Sequence, residues 1–369
     1  MFRFSIVISF NILLESCLTA HNSNLQHLSF HLGCNILTVL LEYSSPNIAK
    51  KFHVGHLRST IIGAFLINLY RTCGWDTVAL NYLGDWGKQF GLIAVGYEKY
   101  GNDEAMKQDP IKHLYDVYVK INADADADPA VHDAARAHFK RMEDGEESAL
   151  LQWRQWRADS IERYKEEYKV LNVEFDEYIG ESMVGREVQL GAIQKLTDMG
   201  LVEVSENATR IDLETNYKLG KPVLLKTGEF PPPLCLTDTN SLPDGTTIYL
   251  TRDIGGAIER WQGYKFDKMI YVVANQQDMH VAQFFKILDL MGYEWANRLE
   301  HINFGMVTGM STRKGTAVFL DQIIKDSQEV MLEQMQKNEE KYRQIENPEY
   351  VAREIGITAI KVQDMQAKR

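Results

Sequence analysis

Residues 36–83 read ILTVLLEYSSPNIAKKFHVGHLRSTIIGAFLINLYRTCGWDTVALNYL. Ile36 to Tyr43 is a short, nearly continuous apolar run, the pattern of a strand buried on both faces. Ser44-Ser45-Pro46-Asn47 is turn chemistry. From His56 to Cys73 apolar residues recur at helical spacing, among them Leu57, Ile61, Phe65 and Leu69, and Gly74 stops the pattern. Thr77 to Leu83 reads as a second strand. Strand, helix and strand in so short a stretch form a βαβ unit, so a parallel sheet is expected.

Outward from this stretch the rhythm changes twice. From about 104 to 173 the chain is polar and helical, and Trp153, Trp156, Ile161, Tyr164, Tyr168 and Leu171 fall on one face. That stripe reads as packing. Asp124 to Pro129, alternating Asp and Ala before the proline, reads as a solvated loop. After about 245 the α/β pattern returns: Thr247–Thr251 is a strand candidate, Met269–Ala274 another, Val281–Met291 a helix and Ile302–Val307 a third strand. Residues 321 to 344 are charged and helical. The expected layout is residues 37–100 as the first half of the sheet, 101–205 as a helical insertion, 206–320 as the second half and 321–369 as a helical linker. Residues 1–36 stand apart, rich in Ser, Asn, His and Leu without a sustained period.

Bulk properties narrow the class. The chain has 369 residues, 45% hydrophobic and 25% charged, with a formal net charge of −11. These are ordinary globular values for a chain of two or so domains. The acidic balance argues against nonspecific coating of nucleic acid and leaves room for a local basic surface. No apolar run reaches the roughly 18 residues of a membrane span. Cys17, Cys34, Cys73 and Cys235 form no CxxC pair, so neither a zinc ribbon nor a disulfide framework is expected, and a reducing compartment follows. The first residues imitate a secretion signal only weakly, because Arg3 is the sole early charge and Asn11 and Glu15 interrupt the apolar stretch.

The chemistry concentrates around His53-Val54-Gly55-His56. Histidines three apart lie on one side of a first helical turn, whose free N–H groups favour an anion. Gly55 lets a phosphate approach the backbone, and imidazoles can donate to phosphate oxygens as charge redistributes in a displacement. The plainer alternative is a pair of ordinary core or surface histidines. A metal site is a third, but no HExxH glutamate and no nearby cysteine support it. Gly309-Met310-Ser311-Thr312-Arg313-Lys314-Gly315 offers donors and cations that could close on a leaving pyrophosphate; a solvated basic turn is the alternative. Gly84 to Gly91 imitates a P-loop without meeting GxxxxGK[ST] and reads as a structural turn. No GxGxxG is present. Glu42 ends the first strand, and Asp253 follows the candidate strand at 247–251. Ligands of open parallel sheets bind beyond the carboxyl ends of strands, and two acids there suit a guanidinium. The alternative is that either acid caps a helix or pairs with a lysine.

Five blocks now resemble one family, the class I aminoacyl-tRNA synthetases in their arginyl form. They are Ser44 to Lys50 with His53 to Thr60, Asn81 to Gly91, Tyr249 to Asp253, Val272 to His280 and Gly305 to Gly315. Their order is the family's, and with one gap they cover roughly 38–369. The similarity is to the fungal type, as a catalytic-domain fragment. It implies an α/β fold with a split Rossmann-like parallel sheet of the HUP nucleotide-binding type and a helical insertion. It also implies a ligase reaction in which arginine's carboxylate attacks the ATP α-phosphate, giving arginyl-adenylate and pyrophosphate, and tRNA(Arg) then takes the arginyl group. In the family the first step itself requires bound tRNA. ATP with Mg2+, L-arginine and tRNA(Arg) are the implied ligands, for a monomer of the cytoplasm or the mitochondrion, without a membrane. The implied catalytic residues are His53, His56 and Lys50. Gly55, His56, His280, Met306, Val307, Ser311 and Lys314 would hold ATP, and Glu42, Ser44, Asn47, Tyr249, Asp253 and Gln277 would hold arginine. No metal-ligating residue is implied.

The chain departs from the family in several places. In the second signature Gly309 and Thr312 occupy the positions of the usual lysines, and Lys50 is the compensating lysine. Lys51 replaces a common proline, adding charge and removing a fixed φ. Residues 1–36 lack the family's amino-terminal tRNA-binding part, and the chain stops before the helical anticodon-binding domain. The expectation is a weakly active or inactive form. Residues 227–243 interrupt a matching run and read either as translated intron or as a Pro-rich loop.

Overall fold

The computed structural model describes residues 36–205, 208–227, 245–247, 249–305 and 318–366. Strand β1 (Thr38–Glu42) leads into helix α1 (Val54–Thr72) and β2 (Asp76–Leu83). Five helices follow: α2 (Lys88–Tyr100), α3 (Asp103–Gln108), α4 (Pro110–Ala127), α5 (Pro129–Glu143) and α6 (Glu147–Val170). Then come β3 (Glu177–Gly180), α7 (Arg186–Asp198), β4 (Val202–Ser205), β5 (Ala208–Ile211), α8 (Glu214–Tyr217), β6 (Val223–Thr227) and β7 (Gly245–Thr247). The remainder comprises α9 (Tyr249–Tyr264), β8 (Lys268–Ala274), α10 (Asp278–Leu290), β9 (Leu299–Phe304), α11 (Leu320–Gln336), α12 (Glu339–Tyr342) and α13 (Pro348–Gln366).

The main sheet is five-stranded and parallel, in the order β3-β2-β1-β8-β9. It is the split parallel sheet expected, with strands from both ends of the chain meeting at β1. Alternation along β1 explains its unbroken apolar run. Val39 and Leu41 face a core shared with α1 and α6, whereas Leu40 faces a second core shared with α9 and α10. A strand covered on both faces has no polar side to present.

Other elements were not foreseen. β4 to β7 form a separate antiparallel sheet. The strand candidate at 247–251 is corrected: β7 ends at Thr247 and α9 begins at Tyr249. Leu250, Ile254, Ala257 and Ile258 are buried at helical spacing, and that packing overrides the β-branched look of the segment. The Asp124–Pro129 loop is corrected too. Helix α4 runs through Ala127, because Ala125 is buried while Asp124 pairs with Lys99; Asp128 then caps α5 and Pro129 opens it. Cys73 is disulfide-bonded, which the cysteine spacing did not suggest. Residues 1–35 and 228–244 lie outside the described residues. Among the described residues no helix is long and apolar enough to cross a membrane.

Gly84 to Gly91 is not a turn throughout: Gly84 to Gly87 leave β2 and Lys88 to Gly91 already belong to α2, and this connection ties the helices to the sheet. Asp85, fully buried, pairs with Arg157 of α6 at 2.6 Å and accepts from Ser182 N and Oγ, while Trp153 Nε1 donates to its carbonyl. In the same core, α1 crosses Tyr43 at Gly63. A Cβ at residue 63 would stand 2.0 Å from Tyr43 Cγ, so only glycine permits this approach. Gly63→Ala is expected to lower stability by about 1–3 kcal/mol through overpacking. Urea denaturation checks it, and a wild-type midpoint would contradict this account of the contact.

Candidate active site

In the strand order, the chain leaves β1 toward β2 on one side and returns beside β1 as β8 on the other. Such a reversal opens a crevice at the carboxyl ends of the two strands. Glu42 ends β1, and Gln277 and His280 follow β8. Helix α1 packs on one face of the sheet and α9 on the other, so the two candidate sets approach this edge from opposite faces.

The two histidines cap α1. His53 is the N-cap residue, and its Nδ1 accepts from Gly55 N at 3.1 Å. His56 Nδ1 accepts from His53 N at 3.3 Å, completing a reciprocal capping box with imidazoles in both roles. The rings stack with centroids 3.8 Å apart. A ring nitrogen that accepts a backbone N–H carries no proton, so each neutral imidazole has its proton on Nε2 and offers that N–H as a donor. Burial lowers the pKa of His53, with Lys50 adding to the effect, and holds His56 well below the ordinary value, helped by His53 and Lys50. Both rings are therefore neutral at pH 7.

The connection from β1 to this cap is strained. Ser44, Ser45 and Ala49 have φ of 68°, 48° and 61°, in the left-handed region, which costs about 1–3 kcal/mol for each non-glycine residue. Asn47 bridges to Gly84, and Ile48 N donates to the Gly84 carbonyl at 3.3 Å. Ser44 is buried, with its N donating to Ser59 Oγ at 2.9 Å.

Three acids stand at the end of β1, just after β3 and in the first turns of α9, each with a partner. Glu42 ion-pairs with Arg260 at 2.6 Å, Glu181 with Arg252 at 2.9 Å, and Asp253 meets His280 Nε2 at 2.5 Å. The Arg260 guanidinium is buried, 4.8 Å from the Tyr82 ring centroid and 5.7 Å from that of Tyr271, and donates to Tyr271 OH at 3.3 Å. Burial pushes the Glu42 carboxyl up to about 7; Arg260 opposes that rise and the charge of Asp253 adds to it. Burial likewise raises Glu181 to about 8, with Arg252 opposing and Asp253 and Asp85 adding. These mutual effects put Glu42, Glu181 and Asp253 in one electrostatic neighbourhood.

The predicted residues fare unevenly. Glu42 stands at the expected strand end, but it is not open to a ligand guanidinium on the side where it already holds Arg260, as a buried carboxylate requires a partner. Asp253 is on a helix instead of at a strand end, and it contacts His280, which the motifs had put in the other ligand set. Tyr249, at the start of α9, is 60% exposed with its ring 5.7 Å from Arg252, and Gln277 is exposed. Met306, Val307, Ser311 and Lys314 lie outside the described residues. The residues flanking that stretch are tied to the capped helix: Arg58 Nη1 donates to the Gly305 carbonyl at 2.8 Å, Val54 N donates to the Val318 carbonyl at 3.3 Å, and His53 bridges to Phe319. Sequence reasoning missed Arg260, Arg252 and Glu181. Arg260 carried a signal, a charge one helical turn after the buried Gly256 and Ala257.

Comparison with known proteins agrees with this picture. A family model described as "tRNA synthetases class I (R), catalytic domain" matches residues 23–369, reaching upstream of residue 37 into the segment where the motifs found no counterpart. The cytoplasmic arginine–tRNA ligase of Saccharomyces cerevisiae is 54% identical over 339 residues, covering 90% of this chain and 53% of that protein. The mitochondrial arginine–tRNA ligase of the same yeast is 47% identical over 339 residues, covering 90% and 50%. The solved arginyl-tRNA synthetase of Plasmodium falciparum has the same fold, with a TM-score of 0.71 at 24% identity over 92% of this chain and 54% of that one. The chain spans about half the length of the curated relatives it matches.

The Glu42–Arg260 pair has a pH signature. The folded pKa of Glu42 lies above its ordinary value of 4.5, so its contribution to stability is full below about 4.5 and is lost as pH rises through about 7. Glu42→Gln cannot ionise and escapes that loss. Urea denaturation at pH 5, 6, 7 and 8 should show the variant gaining on the wild type as pH rises; parallel profiles would refute it.

Proposed function

Because the chain belongs to the catalytic-domain family of class I arginyl-tRNA synthetases, we propose that its crevice binds ATP and L-arginine and joins them as the first half of arginine–tRNA ligation. The observation that carries the arginine assignment is the pairing of the acids. Glu42 and Glu181 each hold an internal guanidinium, whereas Asp253, among the described residues, is ion-paired with an imidazole. Asp253 is thus the carboxylate best placed to take a guanidinium from outside, through paired N–H donors. Tyr249, exposed one turn before it, offers a ring to cover the bound side chain. Ser44, Asn47 and Gln277 are assigned to the α-ammonium and carboxylate of the amino acid.

The phosphate side belongs to His53, His56 and Lys50. Two Nε2–H donors, a lysine charge and the N-terminus of α1 supply hydrogen bonds and positive potential where charge builds on the α-phosphate. Gly55 keeps the backbone approachable, and His280 is assigned to the nucleotide. An arginine carboxylate oxygen attacks the α-phosphorus in line as the bond to the pyrophosphate oxygen breaks. A ribose hydroxyl at the 3′ end of tRNA(Arg) then attacks the arginyl carbonyl, and AMP leaves. Magnesium would be held by the substrate phosphates with one or two carboxylates and would neutralise phosphate charge there. Among the described residues no group of three His, Cys, Asp or Glu side chains could hold a metal. The yeast relatives' names support the cytoplasm, with the mitochondrion as the other compartment.

Calorimetric titration of the chain with L-arginine and with ATP tests the assignment. Asp253→Asn is expected to weaken arginine binding by at least about tenfold, the minimum for losing a charge-assisted pair, while ATP binding stays within about twofold. Citrulline, which lacks the charge, should bind the wild type far more weakly than arginine. Equal binding of the two, or an Asp253→Asn variant that holds arginine normally, would overturn the reading. His56→Ala should weaken ATP by about tenfold, one charge-assisted hydrogen bond, and leave arginine unaffected. Since both cap imidazoles are already neutral, ATP affinity should show no inflection attributable to His53 or His56 between pH 7 and 9.

A further inference from the structure

Tyr164 and Tyr168 lie one helical turn apart on α6, in the stripe that reads as packing, and both are buried in the core beneath β1. Their hydroxyls have partners that packing does not require. Tyr164 OH lies 2.8 Å from the Asn47 carbonyl oxygen and 2.6 Å from that of Lys50. Tyr168 OH lies 2.7 Å from Ser44 Oγ and accepts from Asn81 Nδ2 at 2.9 Å. Thr60 Oγ1 continues the path, 2.8 Å from Ser44 Oγ and 2.7 Å from the His56 carbonyl. Each phenol thus reaches the β1–α1 connection at a different point, Tyr168 at its start and Tyr164 at its middle and end.

That connection needs holding. Ser44, Ser45 and Ala49 have positive φ, a conformation that L residues with a side chain disfavour. Local sequence therefore pulls the loop away from the shape it has. Asn47 and Lys50 are gripped through their carbonyls, and Lys50 lies close enough to act electrostatically on both histidines.

We propose that Tyr164 and Tyr168 are positioning residues for the site: their hydroxyls hold the strained β1–α1 loop so that Ser44, Asn47 and Lys50 stand beside the His53–His56 cap. The inference rests on the arginine and ATP reading for its ligands, but the clamp itself can be tested without them. Tyr164→Phe and Tyr168→Phe remove one oxygen each and keep the ring. The effect should stay local.

The test measures backbone amide exchange by mass spectrometry on the whole chain, with ATP and arginine affinities by calorimetry. In Tyr164→Phe, peptides spanning 44–51 should exchange about tenfold faster while those of β1 and α6 do not change, and both ligands should bind about fivefold to tenfold more weakly, one hydrogen bond's worth. Tyr168→Phe should act in the same direction. Adding Ala49→Gly to Tyr164→Phe should recover most of the affinity, because glycine adopts that φ without strain. A role in packing alone predicts no such rescue. Unchanged exchange in the loop, a uniform rise across the chain, or normal affinities despite a loosened loop would each overturn the proposal. A wild type that binds neither ligand, with the loop loosened in Tyr164→Phe, would sink the ligand reading and leave the clamp standing.

Discussion

The pairing of β1 with β8 is the contact on which the rest of the site depends. The register joins Val39 to Lys268 and Glu42 to Tyr271, across more than half of the chain. It turns two distant segments into one sheet, and it sets the point where strand order reverses. A crevice at that reversal follows from geometry, because the chain leaves on one face and returns on the other. Without this ladder Glu42 would not meet Arg260.

Charge burial shapes the acidic side. Isolated carboxylates cannot be buried cheaply, so each acid here has a partner, and two of those partners are the protein's own arginines. Such pairs hold geometry more than they add stability, since desolvation offsets much of their attraction. The raised pKa values of Glu42 and Glu181 are the visible remainder of that contest. On the proposed reading, a site that selects a guanidinium while containing two of its own must keep one carboxylate for the ligand. The difference between imidazole and guanidinium partners is what singles out Asp253.

The histidine cap uses one motif for two tasks. Stacked imidazoles cap the first turn of α1 through Nδ1, and the same hydrogen bonds dictate that Nε2 carries the proton. Helix capping and donor orientation are thus a single constraint. Burial reinforces it, because a protonated ring would give up its acceptor nitrogen and lose the cap. The strained loop before the cap shows the same economy of means, with local conformation subordinated to the placement of Ser44, Asn47 and Lys50.

Much was legible in the order of residues. The apolar run before Glu42, the helical spacing after His56 and the return of strand pattern past 245 are local consequences of side-chain periodicity, which gave the split parallel sheet and the position of the histidine pair. Periodicity failed at 247–251, where β-branched composition lost to a buried helical face, and at Asp124–Ala127, where a lysine beyond the helix satisfied the acid. Partners across the fold were beyond its reach. That Glu42 holds Arg260, that Asp253 meets His280 and that two phenol groups grip the loop after β1 depend on residues brought together by packing. Composition and spacing specify which elements form because backbone and burial preferences act over a few residues; which charges and hydroxyls meet is decided by tertiary structure, since a buried polar group must be satisfied by whatever the completed core places within about 3 Å.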